Sequence, residues 1–272
     1  MNTEEIMDIS LKMSGLKKIP CDSEIIVRGD NINSILFGVD ATISELLMAK
    51  QLSIDCVISH HPVGISSILN FSGILNAQIE CMVKAGVPIN KACKLLKDKI
   101  NKINFENAAI NFSRNASSAK LLNIPYINIH TPADIISEKI VQKHLDMKFK
   151  YNSKVRLYEI IESLLEIDEY NRSPLKPSIR VGSKDDFAGR ILVLMAGGTI
   201  ASGEVLKAYF DAGIGTIICM YLPDDIRMEV EEQNIGNIIE AGHMASDSIG
   251  INRIIDKLEE GGVKVVKTSG II

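Results

Sequence analysis

His60 and His61 are adjacent, and they follow the apolar run Asp55-Cys56-Val57-Ile58-Ser59 and precede Pro62. The chain holds only 5 histidines in 272 residues. Neutral imidazole is the commonest metal ligand and changes charge only near a pKa of about 6.5. Side chains alternate along an extended backbone, and a residue before proline is pushed toward extended geometry. The two imidazoles are therefore expected to point different ways, serving two ions, or one ion and its surroundings. Two further clusters share the context of this pair. One predicted strand ends at Ile129 and runs into His130-Thr131-Pro132-Ala133-Asp134; another ends near Ile239 and runs into Gly242-His243-Met244-Ala245-Ser246-Asp247. Ligands of open α/β sheets bind outside the carboxyl ends of the strands, and all three clusters sit at such ends. His243 and Asp247 are four apart, which on a helix places them on one face.

Imidazole and carboxylate donors without thiolate favour zinc, iron, manganese or cobalt over calcium or a soft thiolate site. Two such ions, typically about 3.5–4 Å apart, can activate a water and hold both attacking and leaving oxygens. Each cluster has a plainer reading when taken alone. Asp134 reads as a helix N-cap, His243 as a hydrogen-bonded core histidine, and His144, inside a helix without a partner pattern, as structural. An adjacent pair is harder to set aside, because burying two imidazoles requires two sets of hydrogen-bond partners.

These residues resemble the NGG-interacting-factor-three-like dinuclear-metal proteins, some of which are described as GTP cyclohydrolase type I-like. Gly38-Val39-Asp40-Ala41-Thr42 followed by Asp55 to Pro62 resembles the N-terminal signature of that family. His130 to Asp134 and Gly242 to Asp247 resemble its central and C-terminal motifs, in the same order. The resemblance implies metal ligands at His60, His61, Asp134, His243 and Asp247. It also implies two divalent ions, a two-lobed α/β subunit with mixed sheets flanked by helices, the metal site between the lobes, and a homo-oligomer, often a ring-like hexamer. His130 would then face substrate or support a ligand, with Asp40 a weaker candidate for support. Two departures stand out: Pro132-Ala133 replaces the usual Asn-Leu, and Asp247 replaces a glutamate that is one methylene longer.

The elements that must position these groups follow from hydrophobic periodicity. Strands are expected at Glu24–Val27, Ser34–Val39, Asp55–Ser59, Pro125–Ile129, Ile179–Val181, Arg190–Met195, Gly215–Cys219, Gly236–Ile239 and Val263–Val266. Helices are expected near 4–14, 42–52, 74–85, 91–101, 105–120, 135–146, 154–166, 203–212, 224–233 and 245–260. The alternation argues for an α/β protein. Thr42-Ile43-Ser44-Glu45 has capping-box spacing. Two prolines mark residues 171–177 as a linker, suggesting lobes at 1–150 and 178–272 within one unit of 1–272. No short-period repeat is evident. Met195 to Glu204 reads as a strand, a glycine-rich turn and a helix start; a tight turn is preferred there to a phosphate cradle, for want of the Walker lysine.

With 46% hydrophobic residues, a sizeable core is expected, filled by aliphatic side chains because Trp is absent. A formal net charge of −4 argues against an electrostatic grip on nucleic acid. The lysines at 91, 94, 97, 99 and 102 interleave with a helical apolar stripe and read as a solvated face. No apolar run reaches the roughly 18 residues of a membrane span, and the acidic start Met1–Glu5 is not a secretory leader. Five cysteines without CxxC spacing fit a reducing cytoplasm. Cys56 reads as packing. The expectation is a cytoplasmic metal-dependent hydrolase in which metal-activated water attacks a phosphoester or nucleotide-like small molecule, with His130 moving the proton. The rival is a metal-holding assembly or regulatory protein without turnover. A GTP cyclohydrolase proper is disfavoured, since no cysteine lies in the three motifs apart from Cys56.

Overall fold

A computed structural model describes residues 1–150, 152, 154–197 and 202–272. Its elements in chain order begin with α1 (Thr3–Ser14), β1 (Glu24–Val27), β2 (Ser34–Gly38), α2 (Ile43–Gln51) and β3 (Cys56–Ser59). α3 (Ile65–Leu69), a 3-10 turn (Phe71–Ile74), α4 (Leu75–Ala85), α5 (Ile89–Ala109), α6 (Arg114–Leu122) and β4 (Tyr126–Asn128) follow. Then come α7 (Thr131–Phe149), α8 (Leu157–Leu164), α9 (Asp168–Arg172), β5 (Ser178–Val181), β6 (Ile191–Leu194), α10 (Gly203–Asp211) and β7 (Thr216–Cys219). The chain ends with α11 (Asp224–Gln233), β8 (Asn237–Glu240), α12 (His243–Glu260) and β9 (Lys264–Thr268).

Every expected strand is present, because each pairs an apolar β-branched run with turn residues at its ends. The helices differ more. α5 is continuous to Ala109, where a break near residue 102 was expected, and α7 and α12 start at Thr131 and His243, earlier than the sequence suggests. Glu45 accepts the Thr42 amide at 2.7 Å, the carboxylate half of the expected capping box.

The described strands form two mixed sheets, ordered β1-β4-β3-β2-β9 and β5-β8-β7-β6. In the first, β1 runs antiparallel to β4 and the remaining pairs are parallel. In the second, β5 runs antiparallel to β8 and the others are parallel. The first four strands of each sheet therefore follow one topology. Even the irregularity recurs, with the register shifting between Ile25 and Val27 in one sheet and between Ile179 and Val181 in the other. Register makes Glu24 equivalent to Ser178, Ser59 to Cys219, and Asn128 to Glu240. This is an internal repeat that no short period in the sequence discloses.

Two compact units emerge, and they are not the contiguous stretches 1–150 and 178–272. One comprises Met1–Ile74, Asn101–Ile136 and Asp247–Ile271; the other comprises Leu75–Ile100 and Ser137–Ser246, with Ile272. The reason is strand pairing. β9 adds beside β2, with Ser34 opposite Lys264, so the C-terminal segment belongs with the first sheet. The expected linker also begins inside α9, leaving 173–177 outside regular structure.

In the first unit, Leu36, Val57 and Tyr126 from three neighbouring strands pack under Leu46 and Ala49 of α2 and Ala119 of α6. Burying each of the Leu and Val side chains contributes about 1.5–3 kcal/mol. Tyr126, fully buried, donates its hydroxyl to the Ala41 carbonyl, which ties the loop after β2 to the sheet. In the second unit the outer edge of β6 is covered by side chains from α7: Gln142 accepts the Val193 amide at 2.8 Å, and Glu138 accepts those of Met195 and Ala196 at 3.0 and 2.9 Å. An exposed edge of unpaired amides invites pairing with another chain, and these side chains occupy it. They also satisfy the first amides of the glycine-rich turn; residues 198–201 of that turn lie outside the described residues. No helix among the described residues is long and apolar enough to cross a membrane.

Candidate metal centre

The backbone ladder does not stop at the end of β3. His60 N–H donates to the Gly38 carbonyl and His61 N–H to that of Val39, each at 2.9 Å. The histidine pair is therefore fixed to the end of β2 by two bonds beyond the strand proper. Ile129 N–H donates to the Ser59 carbonyl at 3.0 Å, bringing the end of β4 alongside. His130 N–H donates to Ser23 Oγ at 3.0 Å, and the His130 carbonyl accepts the amides of Ala133 and Asp134, so it opens α7. Asp134 falls in the first turn of that helix, where the helix dipole favours an anion. Asp247 stands one turn into α12, four residues after His243, as the spacing predicts.

Within the first unit these groups converge. His60 Nε2 lies 3.4 Å from Asp134 Oδ1 and 3.6 Å from Asp247 Oδ1. His61 Nε2 lies 3.7 Å from Asp247 Oδ2, and His130 Nε2 lies 3.8 Å from Asp134 Oδ2. Each carboxylate thus presents one oxygen to His60 and the other to a second imidazole. The rings of His60 and His61 are 5.1 Å apart and tilted by 43°. They do not point to opposite sides: both Nε2 atoms face Asp247, because the consecutive amides of His60 and His61 both donate toward β2 and the regular alternation is broken there. His60 and Asp247 are fully buried and Asp134 nearly so.

All three imidazoles are held by Nδ1. His60 Nδ1 lies 3.0 Å from the Ile129 carbonyl, His61 Nδ1 2.7 Å from Asp40 Oδ1, and His130 Nδ1 2.6 Å from Asp22 Oδ2. A carbonyl can only accept, so His60 carries its proton on Nδ1 and neutral His60 turns a bare Nε2 lone pair inward. That atom is buried and makes no hydrogen bond, yet it faces two carboxylate oxygens. Lone pair against anion is repulsive unless a cation or a proton stands between them. Donor atoms sharing one ion at about 2.0–2.2 Å in tetrahedral arrangement lie about 3.3–3.6 Å from one another. The His60 contacts fall in that range and the other two just above it, so the residues fit a divalent ion. Outer acceptors on Nδ1 are also what metal-binding histidines require. His60, Asp134 and Asp247 form one candidate donor group, and the three histidines another.

The electrostatics agree. Burial disfavours the charged form of His60, but Asp247 and then Asp134 outweigh it, and its pKa rises above the ordinary value. His61 moves the other way, lowered by burial and by repulsion from His60. Asp22 would be raised by burial, but its hydrogen bond from His130 and further bonds hold it below the usual carboxylate range.

His60, His61, His130, Asp134 and Asp247, all singled out by the sequence, lie close together; Asp22, beside them, is not in any of the three motifs. Its signal was available only through topology. Glu24 pairs antiparallel with Asn128, so two residues outward on either side are Asp22 and His130. His243 belongs to the second unit, where its ring lies 5.1 Å from that of Tyr221. His144 is structural as expected, with Nε2 2.9 Å from the Ser163 carbonyl. Cys56 is fully buried and burial pushes its thiol well up, consistent with packing.

No protein-family model matches the chain, and no curated protein does. Solved structures do match. Reduced HcgD from Methanocaldococcus jannaschii superposes with a TM-score of 0.58 at 15% identity, covering 98% of this chain and 97% of that one. The Staphylococcus aureus hypothetical protein SA1388 gives 0.56 at 12% identity, covering 98% and 96%. At those identities the likeness concerns the fold alone. A NIF3 superfamily protein from Sphaerobacter thermophilus is far nearer, with a TM-score of 0.96 and 33% identity over 99% of this chain and 98% of that one. Agreement of that extent, from end to end, means that the chain belongs to the NIF3 superfamily.

Proposed function

We propose that this protein holds two divalent metal ions and hydrolyses a phosphoester or nucleotide-like small molecule. One observation carries the reading: the buried His60 Nε2, its Nδ1 committed to a carbonyl, faces one oxygen each of Asp134 and Asp247. His60, His61, Asp134 and Asp247 would hold the ions. His243 joins them in this reading, because it stands one helical turn before Asp247. When bound, such ions supply Lewis acidity and make water acidic near neutral pH. The protein's own part is positioning and proton handling. His130 Nε2 accepts the proton of an attacking water and returns it to the leaving oxygen. Asp40 and Asp22 hold the rings of His61 and His130. The His61 and His130 side chains keep 23% and 11% of their exposure, so the cluster remains reachable from solvent on that side.

The test is metal content by mass spectrometry together with turnover of bis(p-nitrophenyl) phosphate and nucleotides, with and without zinc or manganese, beside His61→Ala. Metal-dependent turnover lost in the variant supports the enzyme. The almost complete burial of His60, Asp134 and Asp247 favours a second reading, a metal-holding protein without turnover. Stoichiometric metal with no turnover across the panel would select it.

A further inference from the structure

Asp22 lies outside every motif, yet it is fully buried and contacts His130 at the shortest distance to any of the three rings. Its Oδ2 accepts from His130 Nδ1 at 2.6 Å, from Thr131 Oγ1 at 2.7 Å and from the Thr131 amide at 3.3 Å. The other two rings are held differently, His60 by a neutral carbonyl and His61 by Asp40, whose side chain is 60% exposed. A buried carboxylate fixes the ring it holds more firmly than a neutral carbonyl or a solvated carboxylate does, because little water screens it. Of the three imidazoles, His130 is the one whose Nδ1 rests on a buried carboxylate.

The internal repeat sharpens this. Glu24 is equivalent to Ser178 by strand register, so the counterpart of Asp22 is Lys176, whose ammonium bonds the Asn171 carbonyl. The fold itself does not demand an acid at that position. The first half of the repeat carries one where a histidine ends the paired strand.

We propose that Asp22 is a positioning residue, holding His130 as the Nδ1–H tautomer so that Nε2 is the proton acceptor of the site. The proposal rests on the hydrolase reading. In the step it serves, the water oxygen bonds to phosphorus while one water proton passes to Nε2 and the ring becomes imidazolium with Asp22 still ionised; the bond from phosphorus to the leaving oxygen then breaks, and that oxygen keeps the electron pair and takes the proton from Nε2. A carboxylate held in this way fixes tautomer and orientation without itself being protonated.

The experiment uses zinc-loaded, full-length protein labelled with 15N-histidine, and reads the His130 ring by long-range proton–nitrogen correlation. The signals are assigned by their loss in His130→Gln. The expected wild-type result is a proton on Nδ1 and none on Nε2; a proton on Nε2 overturns the proposal, whatever the activity. Asp22→Ala should move the proton to Nε2, and an unchanged ring there also overturns it. Asp22→Asn, near in shape, separates holding from charge. The amide can keep the ring in place but cannot offset imidazolium, so turnover of bis(p-nitrophenyl) phosphate should fall about 10²–10⁴-fold with zinc content unchanged. Full turnover in Asp22→Asn, or zinc lost with it, refutes the proton-acceptor role. If wild-type protein turns over nothing, the hydrolase reading fails, while the tautomer still decides what Asp22 does.

Discussion

Replacing Asp134 by asparagine should change the stability of the metal-free protein in opposite directions at low and high pH. Donor atoms of His60, Asp134 and Asp247 all lie within 4.8 Å of one another. At an effective dielectric near 20, two carboxylates at 4.8 Å repel by about 3.5 kcal/mol. A neutral His60 does not offset this repulsion, so Asp134→Asn should stabilise the metal-free protein by about 3.5 kcal/mol. When His60 is charged, Asp134 at 3.4 Å attracts it by about 4.9 kcal/mol at the same dielectric. The substitution then loses more than it gains, a net cost of about 1.4 kcal/mol. For a protein of this size each kcal/mol moves Tm by about 2–4 °C. Thermal scans of chelator-treated protein at pH 5.5 and pH 9 should therefore show the variant melting a few degrees lower, then several degrees higher, than wild type. Zinc at a thousand times its Kd would raise wild type by about 4 kcal/mol and the variant by much less. A variant that melts lower at both pH values, or keeps the full zinc shift, would show that the carboxylate serves packing and that the cation argument is wrong.

Other outcomes follow from the same geometry. The folded-state pKa of His60 is raised above its unfolded value of about 6.5, so its contribution is fully present below about pH 6.5 and lost as pH rises through the folded value. Chelated protein should lose stability on that rise, and zinc-bound protein should not, because ion and proton compete for one Nε2. His243→Ala should lower the bound metal by about one ion per chain by mass spectrometry; an unchanged metal content would remove it from the ligand set. Tyr126→Phe leaves the buried Ala41 carbonyl without its donor and should cost about 1–3 kcal/mol in urea unfolding, with metal content kept. Glu138→Ala strips the partner from the amides of Met195 and Ala196. A loss of about 2 kcal/mol is expected, and an unchanged midpoint would show that solvent satisfies those amides.

Local chemistry in the sequence determined much of this protein. Apolar runs bounded by turn residues located the strands, because strand formation depends on side chains a few positions apart. The three histidine motifs were visible because each is short: two rings side by side, and twice a histidine and an aspartate one helical turn apart. Helix starts were less legible. Thr131 and His243 begin helices that the hydrophobic pattern enters only later, since a first turn is held by caps and partners more than by periodicity.

Tertiary structure alone decided the rest, because strand pairing joins residues that are distant in the chain. Antiparallel pairing of β1 with β4 set Asp22 against His130 across 108 positions. The pairing of β9 with β2 returned the C-terminal segment to the first unit, and with it Asp247 to the histidines. The repeated sheet topology left no periodic trace, since a strand order constrains backbone register while tolerating almost any apolar side chain. What holds each imidazole was decided last of all, by the partner at its Nδ1: a carbonyl for His60, an exposed carboxylate for His61 and a buried one for His130.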